Sequence, residues 1–551
     1  MRKNAKPSPF TYCKLHEGGA YYLNLGIGLT IDSKTVERKG FIVGWNLALS
    51  NGEIYTGEDK ASLLEKIHSL WPNLKQKTDI TKEKVVIYTD NIRKVQGFFQ
   101  KETTDSFENF FIEIDNFYEV RPCSGWFNEN NALSIAKQAQ RIIDDYFIPE
   151  KNFYLTPHQR NRKMLKKTKG EDITAKVTYP ATFEKYQLIR NAYFGGLLYM
   201  PFTTIIEEPM LMVDINSSYI FDMLIESYPI KEPKRIKDTS NWEYYLLSKD
   251  KISIGCYKIH YGAPRSFISC YKDINGEKLK PGMHEVTMVL TSIDLHNFLK
   301  LGVVLSIEPI WIYEYSTSEL PEYMIEAIVK AYIDKVTAKD KNEKSIRKPI
   351  LNGFYGNTIR RYDTKEEFDD TRKDPAVSPV WGICTTAYAK KYLLKLALKI
   401  DGWFYSDTDS IICKDTAENR RLINAFNNEI RELVREFCDK HHYDFELLKD
   451  LGTFKVEAEI TKLKIWACKT YCYKTVEGEI VLKAAGLVKD NVDINEDLFY
   501  EKELDYTRYS FPVIRYATED DEGCYLEITP SSRGECHIYK KCFSDSMAGL
   551  Y

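Results

Sequence analysis

The first third of the chain alternates between two hydrophobic patterns. Tyr21–Ile31, Gly40–Leu49 and Val85–Thr89 are short, mostly apolar segments that predict strands. Lys60–Leu70 and Ala132–Tyr146 carry the 3.6-residue periodicity of helices. This alternation predicts a mixed α/β domain in the N-terminal region.

The rest of the chain contains longer predicted strands and helices. Strand-like pieces recur between Pro229 and Leu320 and again over Thr453–Lys474, and Glu418–Asp439 is an amphipathic helix. Tyr332–Asn357 is periodic enough for one long helix interrupted by Pro349. The basic stretch 151–176 predicts a linker or basic loop, which either contacts phosphates or is simply a solvated charged surface.

Composition constrains the class of protein only loosely. A chain of 551 residues is long enough for two to four structural units. The formal charge of −3 does not exclude a nucleic-acid enzyme, because cations can be concentrated along one groove. The 12 cysteines include no CxxC pair, so no zinc-site spacing emerges and reduced thiols are expected.

The sequence contains no apolar run of membrane-spanning length and no apolar core of a signal peptide near its start. We therefore expect a soluble, cytoplasmic, monomeric protein without a membrane partner.

The strongest chemical signal is FYSDTDSI, Phe404–Ile411. Apolar residues flank a polar turn, which predicts a β-hairpin on which Asp407 and Asp409 converge. Two close carboxylates repel unless a cation lies between them, and hard oxygen ligands select Mg²⁺ or Mn²⁺. The alternative is an ordinary polar turn, because Asp, Ser and Thr favour turns.

A second acid follows an apolar strand in PMLMVDINSSYIFD, Pro209–Asp222. Burying the charged side chain of Asp214 at the end of a strand costs free energy unless the carboxylate is paired or bound to metal. With Asp407 or Asp409 opposite, it would complete a two-metal site, where one ion activates a 3′ hydroxyl and the other holds a triphosphate.

Lys344 and Lys348 are four residues apart and share one helix face. Opposite a triphosphate they would neutralise its charge, and the alternative is two solvated lysines.

Three stretches in chain order resemble the motifs A, B and C of family B DNA polymerases: VDINSSY, KPILNGFYGN (Lys348–Asn357) and YSDTDS. YFGG (Tyr193–Gly196), KTY (Lys469–Tyr471) and AAG (Ala484–Gly486) are similar to the protein-primed subgroup of small phages. The resemblance covers roughly residues 190–488.

The resemblance implies an α/β (α+β) fold, a right-hand polymerase preceded by a degenerate RNase H-like exonuclease domain. The implied ranges are 1–185 for the exonuclease-type domain and 186–551 for the polymerase, with palm 190–230 and 375–468, a first terminal-protein insertion 231–320, fingers 321–374 and thumb 469–551.

The resemblance also implies roles for individual residues. Asp214 and Asp409 would bridge two Mg²⁺ or Mn²⁺ ions, with Asp407 supporting one ion and the Ile215 carbonyl as a further ligand. The implied nucleotide-binding residues are Lys344, Lys348, Asn352, Tyr355, Gly356 and Tyr219, whose ring leaves no room for a 2′ hydroxyl. The implied template and primer contacts are Arg190, Tyr193, Gly195, Gly196, Lys469 and Tyr471.

Several positions depart from the family pattern. Gly353 replaces the usual Ser, and Ser218 and Ile220 replace Leu and Pro beside Tyr219. The segment from Asn357 to Lys373 is too short for the hairpin of the subgroup's second insertion. The resemblance therefore does not imply strand displacement or intrinsic processivity for this chain.

The exonuclease signatures are incomplete. Asp32 lacks an acidic partner two residues on, and Asn91 is followed by Val95 and Gln96 instead of an aromatic–acid pair. The helix AKQAQRIIDD lacks the expected Tyr. We predict that proofreading is lost, and the alternative is that acids at shifted positions act instead: Asp90, Asp115, Asp144 or Asp145.

The sequence thus predicts a DNA-directed DNA polymerase that uses dNTPs on a primer–template and starts from a terminal, or priming, protein in replication of a phage or mobile-element genome. One alternative is a specialised polymerase that makes short or untemplated DNA. Another is a catalytically silent scaffold that binds nucleic acid or a partner. The presence of Asp214, Asp407, Asp409 and Lys348 argues against a scaffold, which has little reason to keep like charges crowded together.

Overall fold

A computed structural model gives the fold of the chain. It describes residues 157–201, 205–263, 270–279, 282–338, 341–484 and 494–501, and the shorter segments 21–30, 38–49, 52–70, 85–89, 110–111, 118–122, 132–133, 507–508, 513–520, 523–529 and 539–540.

The strands, in chain order, are β1 (Tyr21–Thr30), β2 (Arg38–Leu49), β3 (Ile54–Gly57), β4 (Val85–Thr89), β5 (Phe110–Phe111), β6 (Tyr118–Pro122), β7 (Leu197–Tyr199), β8 (Ile205–Ile206), β9 (Met210–Ile215), β10 (Tyr228–Pro229), β11 (Lys234–Ile236), β12 (Lys251–Ala263), β13 (Gly282–Thr291), β14 (Val303–Ser318), β15 (Trp403–Thr408), β16 (Ser410–Lys414), β17 (Phe454–Ala467), β18 (Thr470–Thr475), β19 (Ile480–Ala484), β20 (Thr507–Arg508), β21 (Val513–Asp520), β22 (Gly523–Thr529) and β23 (Tyr539–Lys540).

The α-helices are α1 (Lys60–Leu70), α2 (Pro157–Thr168), α3 (Thr174–Thr178), α4 (Phe183–Arg190), α5 (Ser218–Ile225), α6 (Tyr244–Leu247), α7 (Ser292–Leu301), α8 (Glu322–Val336), α9 (Lys341–Thr358), α10 (Lys365–Lys373), α11 (Pro379–Ala397), α12 (Ala417–His441) and α13 (Phe445–Leu448). A 3₁₀ helix covers Glu496–Tyr500.

The chain divides into two compact units. The first comprises residues 1–160, 339–349 and 509–538, and the second comprises 161–338, 350–508 and 539–551. The first unit contains a mixed sheet in the order β21-β22-β2-β1-β4-β6-β5, with β3 paired to β2. Its predicted strands and the helix at Lys60–Leu70 are confirmed.

The end of the chain contributes to this first sheet. Strand β22 pairs antiparallel with β2, so that Arg38 lies opposite Ile528 and Phe41 opposite Tyr525. The range 469–551, which the resemblance assigns to a thumb, therefore divides between the two units. The candidate exonuclease residues Asp32, Asp90, Asn91, Val95, Gln96, Asp115, Asp144 and Asp145 lie outside the described residues.

The second unit is built on a sheet in the order β19-β18-β17-β9-β16-β15-β7, with β8 paired to β17. Strand β9 is near its centre and is buried except at Asp214. Helix α11 packs against this sheet and is buried almost throughout its length. A helix that is apolar on all sides is stable only inside a core, which explains its central place.

The predicted insertion forms a second sheet in the same unit, in the order β10-β14-β12-β13, with β11 on β14. Within the region from Pro229 to Leu320, predicted to contain strand-like pieces, the segment HEVTMVLTSIDLHNFL divides into strand β13 and helix α7. Thr291 caps the helix by accepting from the Asp294 N–H. A fully buried ion pair joins Asp294 of α7 to Lys390 of α11 at 3.1 Å.

Two expectations about helices are wrong. The basic stretch 151–176 contains helix α2 and the start of helix α3. Lys166 and Lys169 both pair with Asp374, at 3.0 and 2.7 Å. The predicted helix over Tyr332–Asn357 ends at Val336 and a new one starts at Lys341, and Pro349 lies inside that helix without ending it.

The short segment after motif B folds as helix α10, capped by Thr364. Its only fully buried apolar side chain, Phe368, packs in a cluster of aromatic rings with Tyr179, Phe183, Tyr186 and Tyr362. These rings join α10 to α4, so the segment has a core of its own in place of a hairpin.

No helix in the part of the chain that the structure describes is long and apolar enough to cross a membrane.

Asp222 on helix α5 is a buried acid that should cost stability at neutral pH. It is fully buried, and neither carboxylate oxygen has a hydrogen-bond partner among the described residues. Burial, reinforced by the negative charge of Glu226, raises the pKa of Asp222 well above its usual value. The folded state therefore keeps a proton that the unfolded state loses above pH of about 4. The contribution of Asp222 to the free energy of unfolding therefore falls as the pH rises from about 4 towards the folded-state pKa of this carboxyl group.

We expect Asp222→Leu to raise the free energy of unfolding by about 1–3 kcal/mol at pH 8 and by less at pH 5. Thermal unfolding at both pH values measures the difference. Glu326→Leu, which removes an exposed acid, is the matched control and should show no pH-dependent gain. A lower melting temperature of Asp222→Leu at pH 8 would contradict this prediction.

Candidate active site

The sequence FYSDTDSI forms the predicted hairpin. Strands β15 and β16 pair antiparallel with Asp407 opposite Ser410, so Thr408 and Asp409 form the turn. Thr408 has a positive φ of 65°, and its hydroxyl donates to an Asp407 carboxylate oxygen at 2.9 Å. The Asp409 N–H donates to the Asp407 carbonyl at 2.8 Å and closes the turn. The hairpin β15–β16 thus presents both acids at its tip.

Strand β9 lies beside this hairpin. Asp214 is opposite Ser410 in the antiparallel register, and the Ile215 N–H donates to the Asp409 carbonyl at 2.9 Å. On the other side of β9, Lys455 of β17 is opposite Asp214. The register therefore brings the end of motif A and the turn of motif C together, although they are far apart in sequence.

Asp407 is tied to a different partner. The Lys469 ammonium binds both of its carboxylate oxygens, at 2.7 and 3.0 Å. Lys469 occupies the turn between β17 and β18 with a positive φ of 63°, and its backbone N–H donates to the Tyr405 hydroxyl at 2.8 Å. KTY and motif C are thus joined by one charged and one neutral hydrogen-bonded contact.

Among the described residues, no three His, Cys, Asp or Glu side chains form a group that could hold a metal ion by themselves. The three aspartates thus do not form one closed cluster, and Asp407 pairs with Lys469 instead. Mg²⁺ commonly uses only one or two protein carboxylates and takes its other ligands from water and substrate phosphates. Asp214, Asp409 and the Ile215 carbonyl, on neighbouring strand ends, offer the oxygen donor types that such an open site uses.

The YFGG segment packs directly on the hairpin tip. Strand β7 pairs with β15, with Leu197 opposite Thr408. A Cβ on Gly196 would come within 2.5 Å of the Thr408 hydroxyl oxygen, whereas one on Gly195 would meet open space. Gly196 therefore allows a backbone approach that any side chain would prevent.

Three tyrosines from three motifs meet beside the carboxylates. The Tyr219 ring stacks on Tyr355 with ring centroids 4.1 Å apart, and the Tyr193 and Tyr355 hydroxyls are 3.3 Å apart. Burial, and next the charge of Asp409, raises the pKa of Tyr219 above its usual value. Motif A, motif B and YFGG thus form one aromatic platform, Tyr193–Tyr219–Tyr355.

Two other predicted contacts are partly occupied by the protein itself. Arg190 donates to the Ile359 carbonyl at 3.1 Å and lies over the Tyr193 ring. The Tyr471 ring is 9% exposed and packs against Tyr405, which places it in the core beneath the hairpin.

The remaining predicted nucleotide-binding residues lie along helix α9. Asn352 is exposed and Gly356 is half-buried. Lys344 and Lys348 are also exposed and lie in residues 339–349, which belong to the first unit. Their roles stay predictions.

The sequence analysis missed Lys335 on helix α8. This lysine is 7% exposed, and its ammonium donates to the Ser217 hydroxyl at 2.6 Å and to the Asn216 side chain at 3.4 Å. Ser217, with a positive φ of 57°, is the N-cap of α5, two residues after the end of β9. The available signal was a lysine on the apolar face of AYIDKV, where a charge needs a buried partner.

Gly196→Ala should reduce the free energy of unfolding by about 1–3 kcal/mol, because its methyl group overlaps Thr408. Gly195→Ala places its methyl group in open space, so it should change the free energy of unfolding by no more than about 0.5 kcal/mol. Urea denaturation of both variants measures the difference. Equal losses would show that the close approach to Thr408 is not the constraint.

Comparison with known proteins identifies a family for the chain. The family model of DNA polymerase type B, organellar and viral, matches residues 53–374. No curated protein matches the chain significantly.

Solved structures of Phi29 DNA polymerase share the fold. The complex with primer-template DNA has a TM-score of 0.60 at 15% identity, covering 92% of this chain and 99% of that one. The ternary complex with primer-template DNA and incoming nucleotides has a TM-score of 0.59 at 15% identity, covering 93% and 99%. The predicted fold class is confirmed. Because the family model spans more than half of the sequence, this chain belongs to the type B DNA polymerases of the organellar and viral kind.

Proposed function

We propose that this polymerase extends a DNA primer on a DNA template by a two-metal mechanism, and that it starts replication from a priming protein. The observation that carries the proposal is the register of β9 and β16, which sets Asp214 beside the Asp407–Asp409 turn. Two acids at adjoining strand ends suit an open magnesium site.

Asp214 and Asp409 would hold both metal ions, with the Ile215 carbonyl as a further ligand. When bound, the ions activate the 3′ hydroxyl and stabilise the charge of the triphosphate and the leaving pyrophosphate. Asp407, already paired with Lys469, would support the site by holding that lysine towards the primer terminus.

The aromatic platform would position the incoming dNTP. Tyr219 lies flat on Tyr355, so its ring would occupy the space beneath the sugar and exclude a 2′ hydroxyl. Asn352 and Gly356 would line the nascent base pair. Lys344 and Lys348 would neutralise the triphosphate, because a cation opposite a developing negative charge lowers its energy.

Arg190, Tyr193, Gly195 and Gly196 would contact the template strand, and Lys469 and Tyr471 the primer strand. Arg190 lies over the ring of Tyr193, which is part of the platform. A ring with a cation above it is a suitable surface for a nucleic-acid base.

The insertion between motifs A and B would bind the priming protein. Support comes from its likeness in position and strand content to the terminal-protein insertion of the protein-primed subgroup, and from the Phi29 polymerase fold. The incomplete exonuclease signatures support loss of proofreading.

Asp409→Asn should lower nucleotide incorporation by at least about 10³-fold while the protein stays folded, because electrostatic stabilisation at the reacting phosphate is lost. Labelled dNTP incorporation with Mg²⁺ or Mn²⁺ on a primed template measures this. Asp369→Asn, an exposed acid on α10, is the control and should retain activity.

The same assay separates the alternatives. Product formed without template would favour a specialised untemplated enzyme, and DNA binding without any incorporation would favour a scaffold. Labelling of a candidate priming protein by a dNMP would support protein priming.

A primer with a mispaired 3′ end should remain intact when the wild-type protein is incubated with Mg²⁺ or Mn²⁺ and no dNTP, because the carboxylate set of a two-metal exonuclease is incomplete. Gel electrophoresis of the labelled primer reads the outcome. Metal-dependent shortening that is abolished by mutating Asp90, Asp115, Asp144 or Asp145 would show that shifted acids carry the activity.

A further inference from the structure

A groove in the second unit has a basic lining that the proposed active site does not use. It has a cavity volume of about 240 Å³ and lies between α3, α4 and the end of α10. Its lining includes Lys176, Lys185, Arg372, Glu232 and the rings of Tyr179 and Tyr313.

The three cations of this basic groove differ from their neighbours. Around them, Lys365 pairs with Asp369, Lys373 with Asp370, and Lys166 and Lys169 with Asp374. Within the described part of the chain, Lys176, Lys185 and Arg372 have no such acidic partner.

Arg372 is nevertheless held in place. Its Nε donates to the Pro180 carbonyl at 3.1 Å, which leaves the two terminal nitrogens of the guanidinium to bind a ligand. A fixed guanidinium loses less entropy on binding, and its planar fork matches the oxygens of a phosphate. Three cations against one acid, Glu232, give the lining a positive excess that favours an anion.

The groove is too small to enclose a whole drug-sized molecule. Pockets that enclose a whole small molecule have volumes from about 300 Å³ upward, so this groove suits a segment of a longer ligand. Half-buried Tyr313 and the apolar residues Val177 and Leu188 lie beside the cations. Cations interleaved with rings are typical of surfaces that bind a single nucleic-acid strand.

Helix α4 connects the groove to the active site. Lys185 and Ile189 line the groove, while Arg190, at the end of the same helix, contacts Tyr193 of YFGG. Five residues of helix span about 7–8 Å, so the groove begins close to the proposed template contacts.

We propose that the basic groove binds the phosphate backbone of the single-stranded template beyond the active site, through Lys176, Lys185 and Arg372. This inference rests on the proposed function and adds a second template contact to it. Glu232 weakens this contact by repelling the phosphates.

The test uses the full-length protein and fluorescence anisotropy with primer–templates that carry 5′ template overhangs of about 3 or about 12 nucleotides. Lys176→Ala/Lys185→Ala should weaken binding of the long overhang about fivefold or more and leave the short one unchanged. The slope of the logarithm of the binding constant against the logarithm of the salt concentration should become shallower by about 0.7 for each phosphate contact that is lost. Glu232→Gln should strengthen long-overhang binding.

Lys373→Ala is the control, because this adjacent lysine is paired with Asp370 and does not line the groove. Arg372→Ala, measured separately with its melting temperature, should resemble the double variant.

Three results would overturn the inference: equal weakening at both overhang lengths, an unchanged double variant, or suppression of the long-overhang effect by free dNTP, which would identify a nucleotide site. Wild-type incorporation in the same mixture reports on the proposed function independently. If the wild-type protein incorporates nucleotides and the double variant binds the long overhang as the wild type does, the groove proposal alone is refuted. If the wild-type protein neither binds primer–template nor incorporates nucleotides, the groove proposal and the proposed function are both refuted.

Discussion

The antiparallel register between β9 and β16 is the constraint on which the candidate active site depends. The end of β9 is held on both sides, because the Ile215 N–H donates to Asp409 and the Asn216 N–H donates to Thr453 of the neighbouring connection. Side chains alternate between the faces of a strand, so a slip of one residue would move Asp214 to the opposite face. Two backbone hydrogen bonds at the strand end exclude that slip.

Around this register, three non-glycine residues adopt positive φ angles: Ser217, Thr408 and Lys469. Each costs free energy of about 1–3 kcal/mol and persists only where its surroundings fix it. Here Ser217 accepts from Lys335, Thr408 donates to Asp407, and the Lys469 N–H donates to Tyr405. These bonds hold the turns that surround the acids in conformations that an isolated peptide would rarely populate.

The sequence was most informative where the relevant pattern is short. The apolar strand before Asp214 and the polar turn of FYSDTDSI were sufficient to predict the paired strands. It was less informative where the outcome depends on distant partners. The pairing of Asp407 with Lys469 requires a left-handed turn after β17, and the burial of Lys335 requires α8 to cross the motif A loop.

Local rules also failed in identifiable ways. Pro349 was expected to interrupt a helix, but α9 continues through it, because tertiary packing can outweigh the loss of one backbone donor. The charge-rich stretch 151–176 was predicted as a linker or loop, yet Asp374, about 200 residues later, pairs with two of its lysines. Only the folded chain brings those charges together.

The pairing of β22 with β2 has a consequence for biosynthesis. Almost 500 residues separate the two strands, so the N-terminal sheet cannot acquire these neighbours until all of the intervening residues have been synthesised. Pairing across such a separation carries a large loop-closure entropy and slows folding. Until then the Arg38–Phe41 part of β2, which β3 does not cover, presents an open strand edge. Such transient exposure invites misassembly, which chaperones guard against.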